Sequence, residues 1–317
     1  SITTPALTSD STYSLVNVTA SGTLACSQNQ TGSATVTVVP LPTATIAGTT
    51  TICSGSTTTI TFTGTPNATV TYTVDSGANQ TITLDASGTA TVTTPALTSD
   101  STYTLVSVAS AGTFSCSQAQ TGTAVVTVIS LPTATISGAT TICSGSTATI
   151  SFTGTPNAIV TYTVDSGANQ TVTLDATGNA SITTPALTTN SVYDLVNVAL
   201  TGTASCSQAQ TGSATITIAP LPTAAISGST SICPNSTAVI SFTGTPNATI
   251  TYTVDSGANQ TITLDAAGNA TVTTPTLNTD STYTLVSVMA SGTLACSQNQ
   301  TGSATVTVVP LPTATIA

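Results

Sequence analysis

Eleven consecutive residues, Thr71 to Thr81, return letter for letter at Thr161 to Thr171 and at Thr251 to Thr261, and the whole chain follows this period of 90 residues. Repetition at a fixed period means one structural unit used several times, so the unit must either fold by itself or be buried against its neighbours. With Leu-Pro-Thr-Ala as the start of each unit, complete repeats span residues 41–130, 131–220 and 221–310. Residues 1–40 read as the C-terminal part of a repeat and 311–317 as the start of another. Ala20 to Ala47 is identical to Ala290 to Ala317, so the chain reads as a window on a longer array, with any targeting signals outside it. A unit of this length buries somewhat over ~60 % of its unfolded surface, enough for a small domain with its own core.

Strand signals fill each unit. In Ala68 to Val74 apolar residues alternate with Thr, the period of two that marks a strand with one buried face. The same alternation runs through Thr43 to Ile46, Thr57 to Phe62, Thr81 to Leu84, Thr89 to Val92 and Ala124 to Val128, and no stretch has a helical period. Asp75-Ser76-Gly77 and Asp85-Ala86-Ser87-Gly88 read as hairpin turns, with Asp opening each and Gly expected at the positive φ. About seven strands per unit at regular spacing predict an all-β chain, a tandem array of ~90-residue immunoglobulin-like or fibronectin-III-like β-sandwiches. Tyr103, near the start of the sixth predicted strand and recurring as Tyr13, Tyr193 and Tyr283, fits the tyrosine that closes a corner in such sandwiches. The joints carry Pro40 and Pro42, Pro132, Pro220 and Pro222, Pro310 and Pro312, which predicts short, stiff connections and a rod.

Charge excludes several functions. All ten acidic residues are Asp, and the chain has no Lys, Arg, His, Glu or Trp. Without cations it cannot neutralise phosphates, so nucleic acid is not an expected partner, and an anionic membrane surface repels it. General acid–base chemistry would rest on Asp, Tyr and Cys alone, so no enzyme and no catalytic residues are expected. No apolar run approaches a membrane-spanning helix, and aromatics at 3 % supply no girdle for an outer-membrane barrel, so membrane insertion is not expected either.

Seven cysteines fall at 26, 53, 116, 143, 206, 233 and 296, with gaps alternating between 27 and 63 residues. Two per unit, without His or Cys-x-x-Cys pairs, read as disulfides formed in an oxidising compartment. Two registers are open. Within-unit bonds would join Cys53 to Cys116, Cys143 to Cys206 and Cys233 to Cys296, leaving Cys26 for a partner outside the window. Between-unit bonds would begin with Cys26 to Cys53 and leave Cys296 over. The within-unit bond is preferred, because a small domain with few aromatics gains roughly 4 kcal/mol from closing a loop of that size. Against it stands the strand order of a sandwich, which can set the two cysteines at opposite poles.

Among polar residues, Asp75, Asp100 and Asp175 are weak candidates for a Ca²⁺ site across a joint, since oxygen ligands suit that ion. The competing and preferred expectation is that each Asp caps a turn and that there is no cofactor. Asn190, standing where other repeats have Asp, also counts against the ion. Thr69, Thr71 and Thr73 form a ladder explained by strand propensity and solubility.

Ile-Cys-Ser-Gly-Ser at residues 52–56, Thr-Tyr-Thr-Val-Asp at 71–75, Thr-Tyr-Thr-Leu-Val-Ser-Val at 102–108 and the late Cys116 resemble the tandem Ig-like, PKD-like repeats of giant Bacteroidetes cell-surface adhesins, the SprB-like family of gliding motility. The resemblance implies type IX secretion, a place on the bacterial cell surface and a long filament touching substrata or polysaccharide. It also implies O-glycosylation at Ser11, Ser101 and Ser281 within Asp-Ser-Thr triplets. The expected role is the stalk of an extracellular adhesin or filament that projects a distal binding region and bears tension. Alternatives are a multivalent glycan-binding module and a self-assembling sheath or surface layer. Expected partners are neighbouring repeats of the same chain, surface polysaccharide or other copies of the chain.

Overall fold

The computed structural model describes residues 1–112, 114–202 and 205–314, and the described residues form strands, turns and loops without a helix. The last three residues of the expected start of a further repeat, 315–317, lie outside them. The chain divides into two compact units. One holds Ser1–Leu131 together with Gly202–Cys206, and the other Pro132–Thr201 with Ser207–Ala317.

Each complete repeat is a two-sheet sandwich, described here for residues 131–220 with strands numbered within the repeat. They are β1 (Ala134–Ser137), β2 (Thr140–Cys143), β3 (Thr149–Gly154), β4 (Ile159–Val164), β5 (Gln170–Thr173), β6 (Asn179–Thr183), β7 (Ser191–Ala199), β8 (Ser207–Ala209) and β9 (Ser213–Ala219). One sheet has the order β1-β3-β6; the other runs β2-β9-β7-β4-β5, with β8 added beside β7. All pairings are antiparallel except β2 with β9, which run parallel with Cys143 opposite Ala219.

The two strands beyond the expected seven have clear causes. Thr140 to Cys143 lacks apolar alternation because it is a short edge strand, split from β1 where the chain changes sheets. Ser207 to Ala209 is polar and short, and pairs with only the far end of β7. The sheet change takes place at Gly138, whose φ is +117°, and a Cβ there would stand 2.5 Å from the Thr149 carbonyl oxygen, so only glycine fits.

Alternation places the core. Ile150 and Phe152 of β3 meet Val160 and Tyr162 of β4, Tyr193, Leu195 and Val198 of β7, and Ala214 and Ile216 of β9, all buried. Phe152, Tyr162 and Tyr193 stack in series, with ring centroids 5.1 Å and 6.4 Å apart. The intervening Thr residues face outward and pair across strands, as where Thr135 and Thr153 hydroxyls lie 2.7 Å apart. The same core recurs around Phe62 and around Phe242. Residues 1–40 carry only the counterparts of β7 to β9, so Leu15 and Val18 are exposed where Leu105 and Val108 are buried.

The first hairpin departs from expectation in detail. Positive φ falls on Asp75 (51°) and Ser76 (58°), not on Gly77. The Gly77 N–H donates to the Val74 carbonyl across a two-residue turn with both central residues left-handed, the geometry whose twist matches paired strands. Asp75 tolerates that conformation because its carboxylate is held by Ser101 Oγ at 3.0 Å and the Thr102 N–H at 2.7 Å. In the second turn, Gly88 takes the positive φ (79°) as expected.

Candidate functional site

The feature that distinguishes this chain from a row of unconnected sandwiches is its cysteine pairing. Cys143 is bonded to Cys296, and Cys53 to Cys206, each with a sequence separation of 153 and a Cα–Cα distance of 5.5 Å. Both expected registers are therefore wrong. The first cysteine of one repeat joins the second cysteine of the following repeat, and Cys53–Cys116, Cys143–Cys206 and Cys233–Cys296 do not form. Cys26, Cys116 and Cys233 carry free thiols.

Strand order gives the reason. Cys143 ends β2, opposite Ala219 at the end of β9, and so sits at the pole where the chain leaves its repeat. Strand β7, nine residues long, is antiparallel to β9, starting opposite Ile216 and ending at Ala199, and Cys206 directly precedes β8, which pairs with that far end. At ~3.3 Å per residue the two cysteines of a repeat are ~30 Å apart, far beyond disulfide reach. The second cysteine instead stands at the opposite pole of its repeat. Within the unit that holds Pro132–Thr201 and Ser207–Ala317, the bond Cys143–Cys296 spans the joint between one repeat and the next.

Both halves of the bond are shaped by backbone. In the first half, the Ser146 N–H donates to the Cys143 carbonyl at 3.0 Å and Gly145 has φ +82°, a turn that requires a left-handed third residue. Repeat 221–310 has Cys233-Pro234-Asn235-Ser236 there, with Asn235 at φ 63°. Proline presets the second position of such a turn and Asn is the side chain that best tolerates the third, so the turn is kept. In the second half, the Ala290 N–H donates to the Cys296 carbonyl at 2.8 Å and the Cys296 N–H to the Leu294 carbonyl at 2.9 Å.

Asp85 and Asp175 cap turns, while Asp75 and Asp100 accept from more distant strands of the same repeat. Asp85 Oδ1 accepts from the Ser87 hydroxyl at 2.6 Å and from the Ser87 and Thr89 N–H groups; the Ser87 and Thr89 bonds hold its carboxyl below the usual range. Asp175 is held down in the same way by Thr177 and Asn179. Asp100 Oδ1 accepts the Val128 N–H at 2.7 Å. The candidate ligands Asp75, Asp100 and Asp175 are thus each engaged separately, and the described residues hold no group of three metal-ligating side chains.

Asn190 explains itself here, because its Oδ1 accepts the Ile218 N–H at 2.8 Å as Asp100 accepts that of Val128. The position needs an oxygen acceptor and no charge. Asp100→Asn will accordingly leave the urea midpoint of the chain unchanged, whereas Asp100→Ala will lower stability by about 1 kcal/mol, the usual net worth of such a bond.

The proposed glycan acceptors Ser101 and Ser281 are each 3 % exposed, with hydroxyls donated to Asp75 and Asp255. A folded repeat has no room for a sugar on them, which corrects the expectation for those two residues. Ser11, in the partial repeat, is half-buried. Tyr103 is a core residue stacked on Tyr72, and the hydroxyl of Tyr72 donates to Gln80 Oε1 at 3.0 Å. Burial raises both tyrosines above their ordinary range.

These shifts fix a pH profile. The lowered Asp85 and Asp175 contribute stability above the ordinary carboxylate value, and it is lost as pH falls through their folded values. The raised tyrosines contribute below about pH 10, and lose that contribution as pH climbs through their folded values. With no His or Lys in the chain, the thermal midpoint is expected to stay level from about pH 5 to 8 and to fall below ~4 and above ~10.

The sandwiches are immunoglobulin-like in architecture: two facing sheets, a first strand divided between them, and a parallel pairing of its second part with the last strand. No family profile and no curated protein matches the sequence. Among solved structures, a marsupial T cell receptor is similar at 10 % identity with a TM-score of 0.41, over 82 % of this chain and 99 % of that one. Sidekick-1 immunoglobulin domains 1–5 are similar at 16 % identity and a TM-score of 0.33, over 85 % and 59 % respectively. The ICAM-5 D1–D4 ectodomain fragment is similar at 11 % identity and a TM-score of 0.34, over 85 % and 77 %.

Proposed function

We propose that this chain is a tension-bearing stalk segment of a long extracellular surface adhesin or filament, built so that each joint between repeats carries a second covalent connection. The observation that carries this reading is the Cys143–Cys296 bond from one sandwich to the next. A disulfide inside a domain would protect that domain; one across a joint protects the array. Bonds of this kind form and persist outside the reducing cytosol, in keeping with secretion. A Thr-faced surface with ten aspartates and no cations suits a spacer. In the finer form of this reading the chain belongs to the repeat region of a gliding-motility type adhesin, exported by type IX secretion to the bacterial cell surface.

Pulling the chain by its two ends tests the reading. The two bonds fuse Cys53 with Cys206 and Cys143 with Cys296, leaving three parallel covalent routes between the fused points. The shortest is the backbone from Cys143 to Cys206, 63 residues. At 3.3–3.6 Å per residue, the stretch from Cys53 to Cys296 will therefore lengthen under force to roughly 200 Å when oxidised and to roughly 800 Å when reduced. Equal lengthening in the two states would overturn the proposal.

A further inference from the structure

We infer that Cys233 is a docking port for the tip of one further repeat of this pattern, and that Cys116 and its surroundings are the matching plug, shaped to dock in the same way on a repeat that precedes it. The inference rests on bond geometry and stands independently of the tension reading.

Port and plug share the turn hydrogen bonds of their bonded counterparts before any bond is made, except that Pro234 lacks the N–H that Ser54 and Ser144 donate to Ile129 and Ala219. At the port, the Ser236 N–H donates to the Cys233 carbonyl at 3.2 Å, as Ser56 does to the bonded Cys53 at 3.0 Å, and Asn235 holds the left-handed position of Gly55. At the plug, the Cys116 N–H donates to Phe114 at 3.1 Å and the Ser110 N–H to Cys116 at 2.9 Å, matching the bonds at the paired Cys296. Cys26 repeats the pattern, with 3.0 Å to Leu24 and 3.0 Å from Ala20.

A second observation, separate from the sulfur atoms, distinguishes bonded tips from unbonded ones. The apolar residue two places before the cysteine is 74 % exposed at Phe114 and 83 % exposed at Leu24, but half-buried at Leu294, where the tip is bonded. The cysteines follow it: Cys296 and Cys206 are 2 % and 1 % exposed, Cys116 is half-buried, and Cys26 and Cys233 are exposed. Docking thus covers one apolar side chain and one sulfur together. The fit is specific to a repeat of this pattern, because it needs a thiol 153 residues along the array.

The chemistry is an ordinary exchange. The Cys233 thiol and the thiol of the incoming tip lose two protons and two electrons to a disulfide donor, forming one S–S bond while the donor is reduced to two thiols. Preformed turns hold the two sulfur atoms at high effective concentration, so the intramolecular bond is favoured over others.

The test is the chain extended by one further repeat, oxidised, denatured without reductant, alkylated and mapped by peptide mass spectrometry. In the chain of 317 residues, Cys26, Cys116 and Cys233 take the label. In the extended chain Cys233 is expected to escape it and to be found joined to the second cysteine of the added repeat, while the first cysteine of that repeat becomes labelled. Cys233→Ser in the extended chain should then expose the second cysteine of the added repeat to the label, which checks the pairing from the other side. Labelling of Cys233 in the extended chain overturns the inference. So does a bond between the two cysteines of the added repeat, or a disulfide dimer on a non-reducing gel.

Discussion

Trypsin acting on a Ser130→Arg chain will cut it once and yet leave it in one piece until reductant is added. The chain has no Lys or Arg, so the introduced residue is the enzyme's only site, placed in the exposed joint before Leu131. The cut separates residues 1–130 from 131–317 along the backbone, but Cys53 lies in the first part and Cys206 in the second, and their bond holds the parts together. A non-reducing gel will show one species of unchanged mass, and a reducing gel two fragments. The reducing lane also reports that cleavage took place, so survival of the chain cannot be confused with protection of the joint. Had the cysteines paired inside their repeats, no bond would cross this position and two fragments would separate without reductant. The outcome is all or none. The same logic extends from Cys53 to Cys296, since the two bonded intervals overlap between Cys143 and Cys206 and leave no position in that span held by backbone alone.

The sandwich was legible in the sequence because Thr alternates with apolar residues, and the strands written that way, such as Thr69–Val74 and Thr123–Ile129, stand close to where the alternation puts them. What alternation cannot reveal is an edge strand with no buried face, and Thr50–Cys53 was missed for that reason. This strand fixes the first cysteine at the exit pole, so the pairing was misjudged with it. The signal was nonetheless present: Cys116 follows a long strand and precedes the last one, which sets it at the opposite pole from any residue beside the end of the last strand. Loop-closure energy favoured the within-repeat bond, but a distance of about 30 Å overrides any loop entropy. The aspartates show the reverse case. Turn chemistry explained Asp85 and Asp175 from sequence, whereas Asp100 accepts from the last strand, and Asn190, which looked like a weakened ligand set, preserves that single hydrogen bond.

Reduction will loosen the middle repeat more than either complete neighbour. Repeat 131–220 holds one end of each bond, Cys143 toward the repeat that follows and Cys206 toward the repeat that precedes, while repeats 41–130 and 221–310 hold one end each. When the middle repeat opens by itself in the oxidised chain, it remains tied at two internal points to neighbours that are still folded, and its open state is short of conformations on both sides. Each tie is worth about 3 to 5 kcal/mol for loops of this order, and reduction returns that entropy to the open state. Amide exchange followed by mass spectrometry, with and without reductant, measures the effect repeat by repeat. The core strand Ile159–Val164 is expected to lose roughly twice the protection free energy lost by its copies Thr69–Val74 and Thr249–Val254. The three strands share nearly the same sequence and burial, so their intrinsic exchange and local packing cancel in the comparison. Equal losses in the three strands would mean that the bonds act on the chain as a whole and not joint by joint, and larger losses in the outer repeats would contradict the cross-joint pairing itself.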